Sequence, residues 1–444
     1  MIEGFSMTCV FRGLRAILSC RPARPDVRLR ASLPFALAFL ALAAPPFLPL
    51  PRATAEPAVN PAASPAADST ADPGVGPLPA DGYRVVAVDP DGHGVLLYYQ
   101  GKQIVIVDGS PRQMGTAHGR LLAGQVRYLV DRVVYGVGAA DSLAGGVWFL
   151  DTMAQIEKRT APHVPARYVK EIDALSQAAG VSIRDGRYAN FFPERFHCSG
   201  VAVRGKASAD GSVVHARVLD YMRDIHLQKC AAVQVFLPEG RYAWMSLGYA
   251  GFVGTVTAMN EKGLAVGEMG GRGEGDWDGM PMSLLLREVM ERASTVEDAL
   301  EILRQTPRTC EYYYVFSDRG RNLAAVRAVP DELLVLRPGE QHPLLPPVPE
   351  DTVFVSGEGR AEVLSERLHR QFGRIDPAAM MEIIKRPVAM SSNLHNAVMQ
   401  PETLDMWVAD AGRTTPACDE PYVRVNLGRL LEFYRRWKTS PAER

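Results

Sequence analysis

The chain has 444 residues, 47% of them hydrophobic, and its 49 basic and 50 acidic side chains leave a formal net charge of -1. That much apolar material builds a sizeable core over one or two domains, and the near-neutral balance, with no basic block beyond the first segment, excludes a nucleic-acid footprint. Nine histidines without HExxH or CxxC spacing, and the lack of a GxxxxGK[ST] loop, remove zinc and P-loop readings, so neither a metal nor an organic cofactor is expected.

Residues 1–55 read as an export signal. Arg21, Arg24, Arg28 and Arg30 precede an apolar run over 33–44 that is too short to span a bilayer comfortably, and Ala53-Thr54-Ala55 supplies a small-residue cleavage site. Residues 56–80 are rich in Ala, Pro, Asp and Ser and almost free of large apolar side chains, the composition of a flexible linker. An exported protein, periplasmic or extracellular, is therefore expected. From 81 the pattern predicts strands at 83–88, 94–99 and 104–107, then helices at 111–134 and 166–179, the second closing at Gly180. Past Cys198, strand signals recur at 201–203, 213–219, 231–237, 242–247, 253–259 and 264–267. A helix with an apolar 3.6-residue period covers 282–293, and Thr295 caps the next. Strands at 311–317, 323–328 and 333–337, helices at 360–372 and 377–385, strands at 394–399 and 405–409, and a last helix from Asn426 complete the chain. Strands and helices in blocks, without sustained βαβ alternation, predict an α+β fold with antiparallel sheets.

Phe196-His197-Cys198-Ser199-Gly200 opens a hairpin that turns at Ala209-Asp210-Gly211 and returns through Arg217-Val218-Leu219-Asp220-Tyr221, which brings an arginine and an aspartate back towards one cysteine. A cysteine thiol with a pKa of about 8.5 is mostly protonated at neutral pH and needs a neighbouring base or cation to act as a nucleophile. Taken singly these residues are ordinary: a lone cysteine beside strands is usually a small buried hydrophobe, and Arg-x-x-Asp is usually a surface ion pair. His215 stands two before Arg217, on the same face of the strand, so a Cys198–His215 dyad of the papain kind is one alternative. If Cys198 is a free thiol, at most one disulfide can form among Cys230, Cys310 and Cys418.

Together, Cys198 with Arg217-x-x-Asp220-Tyr221 resembles the start of the mature chain of cysteine-type N-terminal nucleophile (Ntn) hydrolases. The resemblance is in particular to the penicillin acyltransferase-like autoproteolytic acyltransferases and hydrolases (acyl-coenzyme A:6-aminopenicillanic acid acyltransferase family). The stretch Gly254 to Gly267, with its Met-Asn-Glu-Lys-Gly-Leu-Ala-Val run, Asn393-Leu394-His395-Asn396, the stretch 404–408 and Gly115-Thr116-Ala117-His118-Gly119 extend it over about 81–435. The resemblance implies a four-layer αββα sandwich made as a precursor: 81–197 is the pro-region and 198–444 the large chain, the two staying associated after a cut between His197 and Cys198. It implies acyl transfer from a small-molecule amide, thioester or ester to water or an amine, without cofactor. The freed α-amine of Cys198, titrating at about 7.7–8.0 before the site perturbs it, would be the base. Asp220 would hold that amine, Arg217 would lie against the sulfur, and Tyr221 would contact substrate or support Asp220. Asn393 and the backbone of 267–273 are the candidate oxyanion donors; relatives place an asparagine where Met269, Gly270 and Gly271 stand here. Trp277, in a glycine-rich acidic stretch, reads either as part of a substrate lid or as surface loop. The other alternative is a secreted fold relative without catalysis, in which Cys198 is structural.

Overall fold

In the computed structural model, which describes residues 82–191, 198–221, 223–271, 275–357 and 359–439, two β-sheets pack face to face. The export signal, the linker and His197 lie outside the described residues. Strands β1 (Arg84–Val88), β2 (Gly94–Tyr99) and β3 (Lys102–Gly109) are followed by helices α1 (Pro111–Leu121), α2 (Ala123–Val130), α3 (Gly138–Gly145), α4 (Phe149–Thr160), α5 (Ala166–Ala179) and α6 (Ile183–Phe191). Then come β4 (Ser199–Val203), β5 (Val214–Asp220), β6 (Ala231–Pro238), β7 (Trp244–Tyr249), β8 (Thr257–Asn260) and β9 (Leu264–Gly270). Helices α7 (Met282–Arg292) and α8 (Val296–Gln305) lead to β10 (Tyr312–Asp318), β11 (Leu323–Ala328), β12 (Leu333–Leu336) and β13 (Thr352–Val355). Helices α9 (Arg360–Gln371) and α10 (Pro377–Ile383), strands β14 (Asn393–Gln400), β15 (Asp405–Asp410) and β16 (Val423–Asn426), and α11 (Leu427–Thr439) close the chain.

The larger sheet has ten strands in the order β1-β2-β3-β6-β7-β8-β9-β10-β11-β12, the smaller six in the order β13-β4-β5-β14-β15-β16. Neighbours run antiparallel except β3 and β6, which pair in parallel from Ile104 opposite Val233 to Gly109 opposite Pro238. Helices α1, α2 and α4 to α8 supply apolar side chains to a core shared with the ten-stranded sheet. Helices α9 and α10 cover the six-stranded sheet, and α11 closes one end of the space between the sheets. The layers run α, β, β, α, as the resemblance implies.

Local sequence explains the closest approaches. On α1, a Cβ at Gly115 would lie 2.2 Å from the Glu171 carbonyl oxygen and one at Gly119 would lie 2.3 Å from that of Leu175. The glycine pair thus lets α1 rest on the backbone of α5. Thr295 caps α8 as predicted, its hydroxyl accepting from the Asp298 amide. Three expectations need correction. The helix expected over 111–134 breaks at Leu122 and continues into a π-helical turn over Asp131–Val137. The strand expected over 253–259 starts only at Thr257, because Gly251 (φ +86°) and Gly254 carry the chain off the sheet to the start of α7, where a Cβ at Gly254 would meet Ser283. The link between β4 and β5 is a ten-residue excursion, 204–213, with a 3-10 turn at Gly205–Ala207, rather than a tight turn at 209–211.

Candidate active site

Cys198 sits one residue before β4, buried at 4% exposure. Ser199 pairs with Val218 and Gly200 with Arg217, so the register brings the cysteine beside the far end of β5, where Asp220 closes the strand. All of β5 is buried. Its Val214, Ala216 and Val218 pack among the α9 and α10 side chains, while Arg217 points between the sheets, where Gly267 leaves it room: a Cβ at Gly267 would lie 2.6 Å from the Arg217 Cγ. The three-residue spacing of Arg217 and Asp220 therefore sends them to opposite faces of one strand. The thiol at its end feels the Arg217 charge, which favours its ionised form. In the uncut chain burial nevertheless pushes the thiol up to about 12, against the pull of Arg217.

Asp220 accepts from the Met390 amide at 2.9 Å and from Arg360 at 2.7 Å. Burial outweighs both and pushes its carboxyl up to about 6. Arg360 reaches further, donating from its second amino group to the Cys198 carbonyl at 3.3 Å, so one guanidinium spans the aspartate and the backbone of the cysteine. Sequence reasoning passed over Arg360. The signal was present: a cation at the first position of a helix opposes the helix dipole, and here it opens α9 directly after Gly359 (φ +75°), which points to a partner elsewhere.

On the inner side, fully buried Arg217 donates to Glu268 of β9 at 3.3 Å. Burial pushes Glu268 up to about 7, with Arg217 pulling the other way. This ion pair was also missed, because a Leu-Ala-Val-Gly-Glu run reads as an ordinary strand. Behind it His395 bonds the Tyr249 hydroxyl at 2.9 Å and the Thr257 hydroxyl at 3.0 Å. Burial first, then the Arg217 charge, holds it well below its ordinary value and therefore neutral.

Asn393 lies opposite Asp220 on β14. Its side-chain amide donates to the Leu219 carbonyl at 3.0 Å and to Asn396 at 2.9 Å, and its oxygen accepts from the Cys418 amide at 2.8 Å, so in the uncut chain it fastens the end of β5. The Tyr221 amide continues that junction by donating to the Ser392 carbonyl at 3.2 Å. Trp277 is half-buried against the helix-side core. Arg159 of α4 holds its loop, bonding Asp278 at 2.5 Å and the Gly275 carbonyl at 2.6 Å. Residues 272–274, at the centre of the expected lid, lie outside the described residues.

The papain-like alternative fails on register. His215 pairs with Ala202, four residues along β4 from Cys198, which is about 13 Å at ~3.3 Å per residue. Its Nδ1 bonds the Ser317 hydroxyl at 2.8 Å, and burial pushes it down to about 3. Cys198, Cys230, Cys310 and Cys418 are all free thiols. Among the described residues no three His, Cys, Asp or Glu side chains cluster as metal ligands would.

Residues 211–337, which hold Arg217, Asp220 and Glu268, match the family described as acyl-coenzyme A:6-aminopenicillanic acid acyl-transferase. The chain is similar to Protein dcd1A of Dictyostelium discoideum, 22% identical over 70% of this chain and 79% of that protein. It is also similar to the N-acylethanolamine-hydrolyzing acid amidase of Mus musculus, 24% identical over 38% of this chain but only 48% of that protein. Among solved structures, a Caenorhabditis elegans ortholog of that amidase aligns with a TM-score of 0.39 and 16% identity over 46% of this chain and 93% of its own. Residues 211–337, next to the Cys198 site, therefore carry a penicillin acyltransferase-like domain.

Proposed function

We propose that the chain cuts itself before Cys198 and then uses that cysteine to carry an acyl group from a small-molecule amide, thioester or ester to water or an amine. In the cut, the Cys198 sulfur bonds to the carbonyl carbon of His197, the C–N bond between the two residues breaks, and the thiol proton passes to the released nitrogen. Water then hydrolyses the thioester, which restores the thiol and leaves a free α-amine on Cys198. The same two steps repeat on substrate, with that amine as base. Asp220 holds the amine, Arg217 favours the thiolate, and Arg360 keeps Asp220 and the Cys198 backbone in one frame. The observation that carries this reading is the guanidinium of Arg360 bonded to both the Asp220 carboxylate and the Cys198 carbonyl. A thiol pushed up to about 12 belongs to the uncut chain, whose amine is still locked in a peptide bond.

Tyr221 and Trp277 supply substrate contacts in this account, and Asn393 becomes an oxyanion donor by exchanging one of its strand partners. The two fragments stay together, and the basic, apolar and small-residue order of 1–55 directs the protein out of the cytoplasm. The relatives and the matched family set the test panel: N-acylethanolamines, and acyl-coenzyme A with 6-aminopenicillanic acid as acceptor. Processed protein should release the amine or thiol from at least one of these donors, and iodoacetamide should abolish that release by modifying Cys198. Cleavage of a donor that survives complete Cys198 alkylation would overturn the assignment.

A further inference from the structure

The Arg217–Glu268 pair is buried at 0% exposure on both sides, yet it is incompletely bonded. The Arg217 Nε and Nη1 and the Glu268 Oε1 have no hydrogen-bond partner among the described residues. A carboxylate costs several kcal/mol to bury, and an apolar pair of the same shape is often as stable, so stability alone does not account for Glu268. Its position does more: it sits on a cation whose charge favours the Cys198 thiolate, and Gly267 leaves room for that cation's stem.

Resting on the Ntn reading above, we propose that Glu268 is a positioning residue that fixes the Arg217 guanidinium and, by gaining or losing its proton, sets how much of that charge reaches the Cys198 thiolate. With Glu268 ionised the pair is neutral overall and the thiolate gains little. With Glu268 protonated the Arg217 charge is uncompensated and the thiolate is favoured. The Glu268 charge indeed opposes ionisation of Cys198 while Arg217 assists it. Of the other ionisable groups around the pair, Asp220 titrates at about 6, close to Glu268, and does so in wild type and variant alike. His215 on β5 and His395 on β14 are held neutral by burial, and Tyr249 on β7 is raised well above its ordinary value. Tyr314 pairs opposite Glu268 on β10. Asp220 lies on the other face of β5 and answers to Arg360.

Glu268→Gln keeps the shape and an acceptor for Arg217 but cannot ionise. The test follows iodoacetamide modification of Cys198 against pH by peptide mass in wild type and Glu268→Gln, with Cys230, Cys310 and Cys418 of the same digest as internal references. The inflection for Cys198 should move down by on the order of one pH unit in the variant, while Glu268→Asp should retain a wild-type-like curve. Superimposed curves for wild type and Glu268→Gln, or an upward shift, would overturn the proposal. Failure of the nucleophile reading is a separate result, seen as the absence of a Cys198 N-terminus by intact mass; the alkylation curves are compared in whichever form, cut or uncut, the chain then takes.

Discussion

Asp220 carries a cost of burial that its titration exposes. Its carboxyl lies at about 6 in the folded uncut chain, above the ordinary 3.8, because burial outweighs Met390 and Arg360. The native state therefore binds more protons than the unfolded chain between those values, and the contribution of Asp220 to stability is present at acid pH and lost as pH rises through about 6. In an uncut Cys198→Ala background, adding Asp220→Asn removes that titration. Urea unfolding should find the advantage of Asp220 over Asn largest near pH 4, shrinking by on the order of 2 kcal/mol towards pH 7. A pH-independent difference would mean that the carboxyl stays ionised throughout.

At the scale of elements, two glycines decide how the sheets meet. Gly267→Ala sets a Cβ against the Arg217 Cγ, the stem rather than the tip of a side chain, and nothing there can yield. Gly200→Ala meets the Met269 Sδ at 2.7 Å, a flexible thioether, but also Val315 at 3.1 Å. Overpacking of this kind costs about 1–3 kcal/mol. Gly267→Ala should cost that in urea midpoint and also slow processing, whereas Met269→Ala should restore much of the stability of Gly200→Ala. Absence of rescue in the double variant would show that Val315 sets the limit. Sequence periodicity carried most of this architecture: β2, β11 and α5 fall where expected, and the Cys198 hairpin with Arg217 and Asp220 was readable because a tight site needs those residue types close in the chain. What escaped included the helices α4 and α6, of 12 and 9 residues, which the sequence reading did not assign, and otherwise elements that are short or residues that are distant. Strands β13 and β16 have four residues each, too few to show a period. Arg360 and Glu268 join the site across 140 and 51 residues of chain, so only the fold makes them neighbours of Asp220 and Arg217.

On the scale of the whole molecule, the segment before Cys198 is built into the body. Strands β1 to β3 are part of the ten-stranded sheet through the β3–β6 pairing, and buried Glu171 of α5 forms a two-point pair with Arg287 of α7 at 2.7 and 2.9 Å. Cutting one peptide bond leaves those contacts intact, so both fragments should coelute in native gel filtration and part only in denaturant. Arg287→Ala, which strands buried Glu171 and Glu291, should cost about 3–5 kcal/mol; dissociation of wild-type fragments on cleavage would show that the shared sheet does not hold them. The account as a whole stands on Cys198 becoming the first residue of a chain. Its most direct test is the intact mass and N-terminal sequence of the purified wild-type protein beside Cys198→Ala. The account predicts two wild-type fragments, the larger beginning at Cys198, and a single uncut Cys198→Ala chain; a wild-type protein that stays uncut and still turns over substrate would contradict it.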